Sequence, residues 1–211
     1  MLFESFRMGL IMANTYTDAF LEESIQILKL IDRSDIANVV EVLVSVKARK
    51  GRIFFCGSGG GAGHSSHAAA DFRKIAGIEC YSVSDNISEL TARVNDESWN
   101  DAYSGWLRAS NLSSNDCIFV ISVGGGDAER NISGNLVSAI ELACEVGAQV
   151  IGIAGRDGGE LRKRADASIL VPVVNANNVT TQVEGFQALI WHLLVCHPQL
   201  EGSTPKWESL V

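Results

Sequence analysis

The chain has 211 residues, 46% of them hydrophobic and 20% charged, enough for one ordinary domain with a real core but not for a cofactor domain plus a full substrate domain. Seventeen Lys and Arg against 25 Asp and Glu leave a net charge of -8. That balance repels phosphate backbones and anionic lipid, which makes nucleic acid and membrane surfaces poor partners while leaving room for a small anionic substrate in a local pocket.

The first fifty residues read as a helical hairpin packed on the same domain as residues 51–211. Leu21, Ile25, Leu28 and Ile31 recur at helical spacing, then Ile36, Val39, Val40, Leu43 and Val46 repeat the pattern, with Ser34 as the N-cap between them. Glu4 and Arg7 interrupt the apolar start, so it does not read as a signal peptide, and no apolar run approaches the roughly 20 residues that span a bilayer. From residue 52 short apolar runs take over: Arg52–Cys56, Glu79–Val83, Cys117–Ile121, Gln149–Ile153 and Ser168–Pro172. Rich in Ile, Val and Phe without clean alternation, they suit strands buried on both faces of a parallel sheet. The 133–147 segment opens on Ser133 and closes on Gly147 as a crossover helix should, and a last helix runs from about Thr180 to Cys196 before Pro198. The expected fold is a three-layer α/β sandwich with a five-stranded parallel sheet. Its five cysteines form no Cys-x-x-Cys pair and read mostly as small core residues, in keeping with a cytoplasmic protein.

In such sheets ligands bind beyond the carboxyl ends of the strands. After the first strand comes C-G-S-G-G-G-A-G-H at 56–64, followed by a helix from about His64. Bare glycine amides before a helix form an anion site, although a tight strand-to-helix turn needs some glycine as well. No Lys-Ser/Thr follows, so the Walker pattern fails; Gly57, Gly59 and Ala62 with Asp85 give only a loose dinucleotide-binding match. After the third strand comes I-S-V-G-G-G-D-A-E-R-N at 121–131, a second glycine-rich loop. Two such loops argue for a ligand carrying a phosphate and a polyol.

The helix after the first loop carries His67 and Asp71 one turn apart on a shared face. The last helix carries Glu184 and His192, eight residues or about 12 Å apart along its axis, with small Ala188 between them. The two pairs could supply a general base, a general acid and a divalent metal site. On spacing alone, an ordinary surface His-x-x-x-Asp pair explains the first of them equally well.

Taken in order, residues 56–71, Ser84–Asp85, Asn95–Asp96, V-I-G-I-A-G-R-D-G-G at 150–159, Glu184 and W-H-L-L at 191–194 resemble the sugar isomerase (SIS) domain family, from about residue 14 to 197. The resemblance implies an aldose–ketose isomerase working through an enediol, with sedoheptulose 7-phosphate as the leading substrate. It puts the family's catalytic carboxylate on Asp71 and its last-helix histidine on His192. The metal set it implies is His67, Asp71, Glu184 and His192, with zinc as the expected ion. Substrate contacts fall on Ser58, Gly59, Gly60 and Gly61, on Asn95 and Asp96, and on Ser122, Gly124 and Gly125. A homotetramer with sites at subunit interfaces is implied too. Two departures stand out: Asp71 and Glu184 replace a glutamate and a glutamine, and the hydroxyl-rich S-T-S-G-N-S loop becomes Ser122-Val123-Gly124-Gly125-Gly126-Asp127, with extra residues before Ser133. The rival readings are a non-catalytic sugar-phosphate sensor of the same fold and a small NAD(P)-binding protein.

Overall fold

In the computed structural model, residues 2–200 and 202–203 are described, with side chains from residue 15 onward. Two helices precede the sheet, α1 (Leu2–Leu30) and α2 (Arg33–Ala48). The N-cap of α2 is Asp32, not Ser34: its carboxylate accepts from the Ser34 N–H at 2.8 Å and the Ser34 hydroxyl at 2.6 Å, which leaves Ser34 inside the first turn. α1 also departs from expectation. Leu21, Ile25 and Leu28 are exposed, and Ile27 is buried instead. The helix turns another side to its own chain, where Ser24 donates to Gln182 and Glu23 accepts from Asn175 and Asn178.

The five strands are β1 (Ile53–Gly57), β2 (Cys80–Ser82), β3 (Cys117–Ile121), β4 (Gln149–Gly155) and β5 (Ala167–Val171). All pair in parallel, in the order β2-β1-β3-β4-β5. The helices between and after them are α3 (Gly60–Lys74), α4 (Ile87–Asp96), α5 (Ala102–Ala109), α6 (Gly134–Val146), α7 (Gly159–Arg164) and α8 (Val179–Val195). β1 and β3 are buried along their whole length because helices cover both faces. On one face Phe55, Phe119 and Ile153 pack with Leu43 of α2, Phe72 of α3 and Trp191 of α8. On the other, Phe54, Ile118 and Val150 meet Tyr103 and Leu107 of α5, Leu136 and Ile140 of α6 and Leu161 of α7. Each large side chain buried this way stabilises the fold by about 1.5–3 kcal/mol.

The amino end of the sheet is tied by Asp116, which is almost fully buried. Its carboxylate takes the Arg52 guanidinium at 2.7 Å, the Arg52 N–H at 3.1 Å and the Ser113 hydroxyl at 2.9 Å. The opposite end carries the loops. β1 has β2 on one side and β3 on the other, so the crossovers leaving β1 and β3 part company there, and a crevice opens above their carboxyl ends.

Candidate active site

The first glycine loop is shorter than its sequence suggests, because α3 begins at Gly60 and takes Gly60, Gly61 and Gly63 into its first turn. Close packing explains why they are glycines. A Cβ on Gly57 would lie 2.2 Å from the Gly61 carbonyl oxygen, and one on Gly61 would lie 2.4 Å from that of Ile121. Gly59 caps the helix at φ 59°, a left-handed conformation that glycine adopts without steric cost. Over Gly60 sits the carboxylate of Glu184, 2.5–2.8 Å from where a Cβ would be. The carboxylate therefore stands beside the first turn of α3, near the end of a helix where negative charge is favourably placed.

About two and three turns along α3, His67 and Asp71 meet His192 from α8. Their nearest ligand atoms all lie within 4.8 Å of one another. Asp71 Oδ2 stands 3.6 Å from His67 Nε2 and 3.8 Å from His192 Nε2, too far for direct hydrogen bonds. His192 Nδ1 lies 2.7 Å from the Ala188 carbonyl oxygen. A carbonyl only accepts, so Nδ1 carries a proton and Nε2 is the nitrogen turned toward Asp71. Two imidazole nitrogens and a carboxylate gathered in this way suit zinc, whose ligands sit about 2.0–2.1 Å from the ion; the backbone bond to Nδ1 is the kind that orients a metal-binding histidine. Trp191 forms the floor: it is fully buried, stacks on His192 with ring centres 3.5 Å apart and meets His67 edge-on at 4.8 Å. Glu184, expected as a fourth ligand, stands outside the three-residue group, toward the start of α3.

The second loop is rigidly built. Ser122 Oγ accepts from the Gly125 N–H at 3.0 Å, and the carbonyls of Gly125 and Gly126 cap α7 by accepting from Leu161 and Glu160, each at 3.0 Å. A Cβ on Gly125 would come within 1.8 Å of the Gly158 carbonyl oxygen, so this loop and the one after β4 interlock. The extra residues fold into a small hairpin, with Asp127 and Ile132 exchanging backbone hydrogen bonds at 2.9 and 3.0 Å.

Asn95 and Asp96 lie at the end of α4, a helix with no buried residue. Both are exposed, and the Asn95 amide donates to the Asp96 carboxylate at 2.7 Å. No hydrogen bond links them to either glycine loop among the described residues. Asp85 lines a different groove, of about 770 Å³, with Tyr81 and Trp106. Burial pushes the Cys56 thiol well above its ordinary value, so the cysteine ahead of the first loop is a core atom and not a nucleophile.

Sequence reasoning missed the polar side chains that support the loops from behind. Tyr103 donates to the Gly57 carbonyl at 2.6 Å, and burial pushes its hydroxyl up to about 12. Asn135 donates to Ser58 Oγ at 2.9 Å, and Gln187 donates to the Ser122 carbonyl at 2.8 Å. Their signal was present as lone amides inside apolar helical segments, where each needs a buried partner.

The profile of the SIS domain matches residues 16–155. A phosphoheptose isomerase of Paramagnetospirillum magneticum is 30% identical over 169 residues, covering 77% of this chain and 81% of that protein. One from Helicobacter pylori is 29% identical over 160 residues, covering 74% of this chain and 78% of its own length. Among solved structures, a phosphoheptose isomerase from Neisseria gonorrhoeae superimposes with a TM-score of 0.75 at 25% identity, covering 87% of this chain and 96% of that one. The fold, the two loops at the switch point and these likenesses lead to one conclusion: the chain belongs to the SIS domain family.

Proposed function

We propose that this protein is an aldose–ketose isomerase that converts sedoheptulose 7-phosphate to a heptose 7-phosphate through an enediol. The observation that carries the reading is the meeting of His67, Asp71 and His192, on the helix that follows the first loop and on α8, in a chain similar to phosphoheptose isomerases from several bacteria. Ser122, Gly124 and Gly125 take the phosphate end. Ser58 and Gly59–Gly61 take hydroxyls, since the Glu184 carboxylate over Gly60 disfavours a second anion there. The same carboxylate argues against a dinucleotide, whose pyrophosphate needs a free helix N-terminus. Asn95 and Asp96 complete the substrate contacts.

The reaction moves one proton between neighbouring carbons and another between their oxygens. One of Asp71 and His192 removes the proton from the carbon beside the carbonyl and returns it to the former carbonyl carbon. The other passes a proton between the two oxygens, and both must come within hydrogen-bonding reach of the sugar. His67, Asp71 and His192 would hold zinc, and Glu184, which stands beside Gly60 outside that group, would have to swing over to become the fourth ligand. When bound there, the ion supplies Lewis acidity that polarises the sugar carbonyl. The His67 side chain is 61% exposed and that of His192 47%, so one chain alone leaves the site wet. That openness supports a homotetramer whose neighbouring subunits close the sites, working in the cytoplasm.

The test is turnover of sedoheptulose 7-phosphate followed by NMR, with metal-stripped protein and His192→Ala alongside. The expected outcome is product formation that falls about 100-fold or more in His192→Ala and returns to stripped protein with zinc. Turnover that survives both changes would overturn the assignment of the site.

A further inference from the structure

The site described so far consists of groups that face the crevice, whereas two side chains that face away from solvent fix its shape. Asn135 in the first turn of α6 and Gln187 in α8 are both 0% exposed. Each directs its amide N–H at one substrate loop: Asn135 at Ser58 Oγ, 2.9 Å away, and Gln187 at the Ser122 carbonyl, 2.8 Å away. In each, the side-chain oxygen is buried and has no partner. A buried carbonyl left unpaired costs about 1–3 kcal/mol. Leucine or methionine would fill the same space without that cost, so packing alone does not account for a carboxamide at either place.

The connections give them a common purpose. Asn135 lies just after the second loop, two residues beyond Ser133, yet it bonds to the first. Gln187 lies on the helix that carries Glu184 and His192, yet it bonds to the second. First loop, second loop and acid/base helix are thereby joined in sequence by two donors. Ser58 is further constrained, since Tyr103 holds the adjoining Gly57 carbonyl at 2.6 Å. With its Oγ accepting from Asn135, Ser58 keeps its own hydroxyl proton available to donate.

We propose that Asn135 and Gln187 are positioning residues that set the distance between the two substrate loops and His192. The proposal rests on the isomerase reading. Small displacements of reacting groups reduce rates far more than they reduce stability, and this separates a positioning role from a packing role.

The experiment compares wild-type protein with Asn135→Leu, Gln187→Met and Gln187→Glu. It measures kcat and KM for sedoheptulose 7-phosphate, affinity for the same compound by calorimetry, and thermal midpoint. Gln187→Met is expected to keep a near-normal midpoint and affinity while kcat falls roughly 10- to 100-fold. Asn135→Leu is expected to raise KM and weaken binding, because its contact is to a ligand-facing serine. Gln187→Glu supplies a readout that packing does not move. A buried carboxyl facing a carbonyl holds its proton to higher pH and donates only while protonated, so its activity relative to wild type should rise as pH falls. Full turnover in all three variants, or losses that merely track the midpoint with a flat pH ratio, would overturn the positioning role and leave the isomerase reading intact. Wild-type protein that neither binds nor converts the sugar phosphate would overturn that reading and the positioning role with it. Wild-type binding without turnover would sink the isomerase reading alone, with the affinities of the variants still deciding whether the loops are held as proposed.

Discussion

Gly57 and Gly60 are three residues apart in one glycine run, yet the structure gives them different tolerances. A methyl group at Gly57 would collide with backbone at 2.2 Å, and backbone between a buried strand and a helix has nowhere to move. At Gly60 it would meet the flexible end of Glu184, in a first-turn position where alanine is the better helix former by up to about 1 kcal/mol. Gly57→Ala is therefore expected to give insoluble or unfolded protein. Gly60→Ala is expected to fold with an unchanged or higher thermal midpoint while Glu184 swings off the helix end. Melting curves of the two purified variants check the contrast, and a zinc titration of Gly60→Ala shows whether the displaced carboxylate alters metal affinity. Equal loss of folding in both would mean that Glu184 cannot yield.

Individual elements explain why some of this was legible beforehand. The strands announced themselves through dense runs of Ile, Val and Phe, since a strand covered on both faces has no polar side to confuse the pattern. His67, Asp71 and His192 were found because helical spacing and family likeness pointed to the same residues. The apolar stripe of α1 misled, because periodicity marks a covered face without saying what covers it. Asn95 and Asp96 came from likeness alone, and α4 holds them on a helix with no buried residue to fix it. Asn135 and Gln187 showed in the sequence only as amides in apolar segments, because the partners that explain them are remote in sequence. At the amino end of the sheet, burial works against the charge on Asp116, but bonds from the Arg52 guanidinium, the Arg52 N–H and Ser113 outweigh it and hold the carboxyl below the usual aspartate range. A depressed folded-state value means that this stability is present above about pH 4, the ordinary aspartate value, and is lost as pH falls through the folded value. Chemical denaturation from about pH 6 down to pH 2 should show wild type losing stability that Asp116→Asn never had, and parallel curves for the two would refute it. Asp116→Ala should cost less than loss of a fully buried pair, because Arg52 is partly exposed and keeps its bonds to the Ser110 and Asn111 carbonyls.

For the molecule as a whole, several of the apolar residues left exposed gather on two helices. Leu21, Ile25 and Leu28 line α1, and Leu189 and Leu193 flank His192 on α8. A helix stripe of this kind on an otherwise acidic surface is what subunit contacts would cover. Under the proposed homotetramer, Ile25→Glu with Leu28→Glu is expected to give a smaller mass by light scattering than wild type and to lower turnover with it; an unchanged mass would rule out a contact through α1. The packing of α2 carries a different consequence, for the order in which the chain folds. This helix is made well before the strands it covers, since its apolar side rests on β4 and β5, more than a hundred residues later. Val39, Val40, Leu43 and Val46 therefore lack that cover until β4 and β5 are made, and the sheet cannot complete that face until its last strand arrives. Long-range parallel pairing of this kind slows folding and leaves apolar surface open to misassembly meanwhile. Nascent chains arrested before Ala167 should consequently engage chaperones through α2, and those arrested after α8 should not.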